Sequence, residues 1–296
     1  MKSTLYWILA IIITLSAVYY QRKTGPTYSK HSDITANGME YRLKLTRSIE
    51  ISDRNYVKLA IKDSTVNACL FYKRLQVDEP YRSVDFKYEE HPVNSFIMNR
   101  IFGIEKETGF FAYVPAQPPA GKIEYYFEIT DDQGTNTYFE NEPVIIRFKG
   151  TVPSKILTPH ILIMFIGMLL STLSGLMAIG KHKSYRKWGI WTFIMLILGG
   201  MILGPLVQYH AFGHAWTGIP IGWDLTDNKT LITVIFWTIA VFGNRKKNRP
   251  GLTILASFIL LLVYSIPHSI FGSELDYESG EIIQGMIMPF SLLGNP

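Results

Sequence analysis

Residues 157–187 read LTPHILIMFIGMLLSTLSGLMAIGKHKSYRK, an apolar run of helical length that stops at a loop carrying four Lys and Arg residues. Such a run suits a hydrocarbon layer about 30 Å thick, and there a helix satisfies its own backbone hydrogen bonds. Working outward, comparable runs lie at 5–20 (LYWILAIIITLSAVYY), 188–209, 230–243 and 252–267. Residues 21–155 are different: charged, and alternating polar with apolar. The overall 48% hydrophobic content of the 296 residues therefore averages two unlike regions.

Short loops orient the spans, because Lys and Arg resist translocation. KHKSYRK (181–187) and NRKKNR (244–249) each carry four basic residues. Residues 188–243 carry only Lys229, and nothing after Arg249 is basic. Both basic loops are thus expected in the cytoplasm. Five spans then place the N-terminus inside, with residues 21–155 and the C-terminus extracytoplasmic, as in a multi-pass protein of the bacterial inner membrane. The net charge of +5 follows from this arrangement and does not argue for nucleic acid. The first run exits through SAVYYQRK, with tyrosines where a signal peptidase site wants small residues, which favours an uncleaved anchor over a cleaved signal.

Six segments of the polar region read as strands between turn residues: 39–46, 56–62, 67–75, 109–115, 122–130 and 143–149. Alternation in YRLKL and YVKLAIK gives each strand one core face and one wet face, so a β-sandwich is expected. Cys69 has no second cysteine to pair with and reads as a buried apolar thiol, while His31 and His91 read as isolated surface residues. The run YVPAQPPAGKIEYYFEITDDQG (113–134) resembles the end of bacterial immunoglobulin-like or fibronectin-type modules. That resemblance implies a partner-binding or spacer role.

In the membrane half, Gly167, Ser171 and Gly175 form a small-residue stripe, and Gly200 and Gly204 form a G-x-x-x-G. Both favour close packing within one bundle over dimerisation. Pro205 predicts a kink. The fourth run, from Thr230, is short. Asp224, Asp227 and Lys229 are therefore expected to dip toward the outer leaflet, with Asp227 and Lys229 in one network or Asp224 as a helix cap.

The topology gathers His160, His210, His214 and His268 in that layer, with Asp224, Asp227, Glu274 and Asp276 as acidic neighbours. His210 and His214, four apart, share a helix face if the helix continues. This makes the four histidines candidate ligands for a transition metal or a b-type haem. Asp224, Asp227, Lys229, Glu274 and Asp276 make up a candidate polar pocket.

Four stretches are similar to a set of uncharacterised bacterial inner-membrane proteins with an immunoglobulin-like extracytoplasmic domain and a C-terminal four-helix membrane region. They are VIIRFKGTVP (144–153), PHILIMFIGMLLSTLSG (159–175), GPLVQYHAFGHAWTGIPIGWDLTDNKTL (204–231) and IPHSIFGSELDY (266–277). The resemblance covers roughly residues 105–278. It implies the architecture and a functional outer polar layer, without an activity.

The expected organisation is an anchor (1–22), an extracytoplasmic all-β immunoglobulin-like sandwich (23–155), a four-span bundle (156–272) and an outer tail (273–296). Three function classes follow. The first is a metal- or haem-binding membrane protein, in which a metal with an open position could also activate water for hydrolysis. The second is a non-enzymatic accessory or assembly subunit, whose sandwich docks another membrane or extracytoplasmic protein. The third, a transporter, has least support, since no inverted repeat is evident.

Overall fold

A computed structural model describes residues 2–93, 99–267 and 274–283. The chain divides into a helical unit (Met1–Pro26, Gly150–Glu274, Ile282–Pro296) and a β unit (Thr27–Lys149, Leu275–Glu281).

In the helical unit, α1 (Lys2–Thr24) is followed by α2 (Ser154–Ile179), α3 (Tyr185–Met195), a π-helical stretch (Leu196–Leu203), α4 (Gly204–Phe212), α5 (Leu225–Gly243) and α6 (Pro250–Ser265). Among the described residues, four segments are long and apolar enough to cross a membrane: Ser3–Thr24, Ser154–Ile179, Tyr185–Phe212 and Leu225–Gly243. The 16 residues of α6 give roughly 24 Å at 1.5 Å each. The fourth span is longer than its apolar run suggests. It begins at Leu225, five residues before Thr230, so Asp227, Asn228 and Lys229 form its first turns.

Small residues set the helix spacing. A Cβ on Gly175 would stand 2.6 Å from Ser257 Cβ, and one on Gly200 would stand 2.7 Å from Thr230 Cγ2. The Ser257 hydroxyl donates to Ser171 O at 2.8 Å, tying α6 to α2. The small-residue stripe thus serves packing inside the unit, as expected. The anchor α1 belongs to the same packing: Ala10 is fully buried in a cluster with Leu173 and Met177, and Trp7 meets Trp188 edge-on at 5.2 Å. Around Pro205 the strain appears as the π-helical stretch just upstream. The proline has no N–H to close an α-helical bond, so the preceding turn opens.

In the β unit, a six-stranded sheet runs β3 (Ser48–Glu50), β11 (Val144–Lys149), β9 (Lys122–Asp131), β5 (Asn67–Arg74), β6 (Arg82–Asp85), with β10 (Gly134–Tyr138) also on β9. A three-stranded sheet runs β4 (Tyr56–Leu59), β8 (Lys106–Tyr113), β7 (Lys87–Pro92), and β1 (Lys30–Ala36) pairs with β2 (Met39–Leu45). All six expected strands form, and five further ones join them. Alternation is strict in β9, where Ile123, Tyr125, Phe127 and Ile129 point inward. One core draws on all three sheets: Leu43 and Leu45 from β2, Leu59 from β4, Leu70 from β5, Phe110 from β8 and Phe127 from β9.

The tail contributes to this unit. Tyr277 donates its hydroxyl to Lys122 O at 3.0 Å and to Gln117 Oε1 at 3.1 Å, and Leu275 N donates to Ala120 O at 3.2 Å. The Arg74 guanidinium lies 5.2 Å from the centre of the Tyr277 ring. Cys69 is half-buried rather than enclosed, because β5 turns it to the face opposite the core residues Leu70 and Tyr72.

Candidate functional site

The polar run 208–231 builds the connection between α4 and α5. Gly213 takes φ +83 and ends α4, a conformation that costs glycine little. Gly150 N donates to Ala211 O at 2.9 Å and occupies one carbonyl of the closing turn. Beyond Gly213 the chain folds onto the first turns of α5. Asp224 is the N-cap: its side chain accepts from Thr226 N at 2.8 Å and Asp227 N at 3.2 Å. Asp227 accepts from Thr217 N at 2.6 Å and from the Thr217 hydroxyl at 3.2 Å, and Gln208 donates to that hydroxyl at 2.5 Å. Asn228 Oδ1 accepts from Ile219 N at 2.8 Å. Gly218 is required here, since a Cβ would lie 2.6 Å from Asp227 Cβ.

Lys229 turns elsewhere. Buried at 5% exposure, it donates to Ile266 O at 2.9 Å and Pro267 O at 3.3 Å, at the end of α6. A cation there meets the negative end of the helix dipole and two carbonyls that the helix leaves open. The expected single network of Asp227 and Lys229 is therefore two separate fastenings. Asp227 braces the connection to its own helix, while Lys229 ties α5 to α6.

The histidines do not form a centre. His160 Nδ1 donates to Gly199 O at 2.9 Å across to the π-helical stretch. His210 is exposed in the last turn of α4, and His214 is exposed beyond the Gly213 break, so the pair does not share a helix face. His268 lies outside the described residues. Among the described residues no group of three or more His, Cys, Asp or Glu is placed to hold a metal ion, and the expected metal site is not supported. Glu274 is half-buried in a two-residue strand. Asp276 belongs to the β unit, where its carboxylate accepts from Glu278 N at 3.0 Å and the Ser279 hydroxyl at 2.8 Å, closing its own turn.

The β unit holds a polar cluster that the sequence did not announce. On the three-stranded sheet, Glu89 Oε2 accepts from the Tyr113 hydroxyl at 2.6 Å and lies 2.8 Å from His91 Nε2. The His91 ring sits 4.2 Å from the Phe111 ring centre and 5.7 Å from that of Tyr56. His91 is thus partnered and only 16% exposed, not an isolated surface residue. The signal was the two-residue spacing of Glu89 and His91, which puts both on one face of β7. The Tyr113 hydrogen bond, with that of His91 after it, holds the Glu89 carboxyl below its ordinary range. Beside β8, the connection from β7 exposes Ile101 (67%), Phe102 (64%) and Ile104 (42%).

Comparison of the chain with family models, with curated proteins and with solved structures finds no match in any of the three.

Proposed function

We propose that this chain is a multi-pass inner-membrane protein of accessory type, non-enzymatic, whose immunoglobulin-like β unit docks an extracytoplasmic partner protein. The observation that carries this reading is the exposure of Ile101, Phe102 and Ile104 on the β unit. Apolar side chains on a helix face have lipid to meet, whereas large apolar side chains clustered in sequence and exposed on a water-facing domain point to an interaction surface. A partner covering these side chains removes apolar area from water, the main favourable contribution to most protein–protein association. The buried polar groups of the α4–α5 connection support the non-enzymatic side of the reading. Asp224, Asp227 and Lys229 each spend their hydrogen-bonding capacity on backbone groups or on Thr217.

The orientation rests on the basic loops and on chain order. Residues 27–149 leave α1, and residues 275–281 leave α6, yet both belong to the β unit. Four crossings separate them, α6 included, and an even number puts both on one side of the bilayer. The basic loops then lie on the other side, inside the cell.

The test is a photo-reactive amino acid in place of Phe102 in the full-length protein, irradiated in intact cells. A discrete protein adduct, lost when Ile101→Asp is added, is expected. Adducts with lipid alone, or none, would overturn the docking role.

A further inference from the structure

The end of the helical unit that holds its two basic loops contains a cavity of 330 Å³, lined among others by Arg186, Ile190, Trp237, Phe242, Asn244 and Arg245. Its construction is specific. Asn244 is buried and spends its whole amide on fixing the α5–α6 loop. Its Oδ1 accepts from the Tyr185 hydroxyl and from Arg249 N, both at 2.8 Å, and its Nδ2 donates to Ala240 O at 2.8 Å. Arg186 reaches from α3 to the same loop, donating to Asn248 Oδ1 at 3.1 Å and Arg245 O at 2.9 Å. Those two bonds use part of a guanidinium that has five N–H donors. Arg245 stands over the Phe242 ring at 5.6 Å.

Charge is the telling feature. Residues 180–187 and 244–249 contain eight Lys and Arg residues and no acid. Among the described residues, none of these cations has a carboxylate within ion-pairing distance. The cavity wall also includes Trp237, which is fully buried, and its indole N–H has no acceptor among the described residues. Below the arginines the lining turns apolar, and Ile190 and Phe242 are half exposed on the helix faces, where acyl chains would lie. Two guanidiniums without a protein anion, on one cavity with an apolar wall, match one chemistry: a phosphodiester with hydrocarbon attached.

We propose that this cavity binds an anionic phospholipid, its phosphate held by Arg186 and Arg245 and an acyl chain along Ile190 and Phe242. The site takes lipid from the leaflet in contact with the basic loops. It does not depend on the docking role of the β unit.

Native mass spectrometry of the full-length protein in mild detergent tests it, with phosphatidylglycerol, phosphatidylcholine and inorganic phosphate as separate probes. One tightly held phosphatidylglycerol per chain is expected, preferred over phosphatidylcholine. The double variant Arg186→Gln/Arg245→Gln should weaken it by roughly thirty-fold, taking one surface-cation contribution per arginine. The control Lys246→Gln/Lys247→Gln removes equal charge from the loop that holds Arg245 and should leave binding within a few-fold. Equal loss in both variants would mean a diffuse basic surface, and equal retention of the two lipids would mean no headgroup site. Either result overturns the proposal. So would inorganic phosphate binding that the double variant abolishes without any lipid preference, since that marks a soluble-anion site. An Arg186→Lys/Arg245→Lys variant guards against misfolding and should recover part of the preference.

Discussion

The Asp227 carboxylate accepts the Thr217 backbone N–H at 2.6 Å, while Lys229, two residues on, reaches the carbonyls of Ile266 and Pro267. Neighbours in sequence, they serve different joints. Asp227→Ala should cost about 1–3 kcal/mol by leaving a buried N–H unpaired, and Lys229→Met a similar amount at the end of α6. Because the fastenings share no partner, the double variant should be additive within about 0.5 kcal/mol. Thermal unfolding of the three variants in detergent checks this, and a large coupling would restore the single network.

Close approach of α2 and α6 gives a second expectation. Gly175→Ala forces a methyl group against Ser257 and should destabilise by roughly 1–3 kcal/mol. Gly251→Ala, which has nothing within 4 Å of its new Cβ, should leave the melting temperature close to wild type.

Acid should reach the β unit through Glu79. Arg74 donates to its carboxylate from Nε at 3.1 Å, from the guanidinium Nη2 at 2.9 Å and from the backbone at 2.8 Å, holding the carboxyl at about 2 rather than 4.5. A depressed carboxyl stabilises the fold above its unfolded value and loses that contribution as pH falls. The stability gap between wild type and Glu79→Gln should therefore be full near neutrality, shrink below pH 4.5 and close near pH 2. Paired melts across that range measure it.

Cys69 reports orientation without any mutation. Burial first, and the charge of Asp85 second, raise its thiol above the ordinary 9.0. A membrane-impermeant thiol reagent should label it in intact cells, slowly at neutral pH and faster as pH rises. Labelling only after lysis would reverse the orientation.

The docking tip makes a separable claim. Phe102→Ser should leave stability within about 0.5 kcal/mol, since the ring is exposed, while abolishing co-purification of the partner.

The apolar runs and the alternating strands were legible because each is a one-dimensional pattern. β9 shows its inward face in sequence, and the span before KHKSYRK shows its limit. The early start of α5 was legible only as one alternative, Asp224 as a helix cap; the separate fastenings of Asp227 and Lys229 were not, because Thr217 and the end of α6 supply their partners. The histidine pair failed for a local reason: Gly213 turns left-handed, and one such residue removes the shared face. Glu89 and His91 share a face of β7 that their two-residue spacing encodes, but Tyr113 joins them only through the packing of β8 beside β7, which no single segment encodes.

Leu275–Glu281 come after every helix from Ser154 to Ser265 in chain order, yet Tyr277 locks onto Gln117 and Lys122 of a unit whose strands were translated long before. The β unit is thus left open at one place through the synthesis of every helix from Ser154 to Ser265. Its closing is an event in time as well as in space: built into the order of the chain, it waits until the whole helical run has been made.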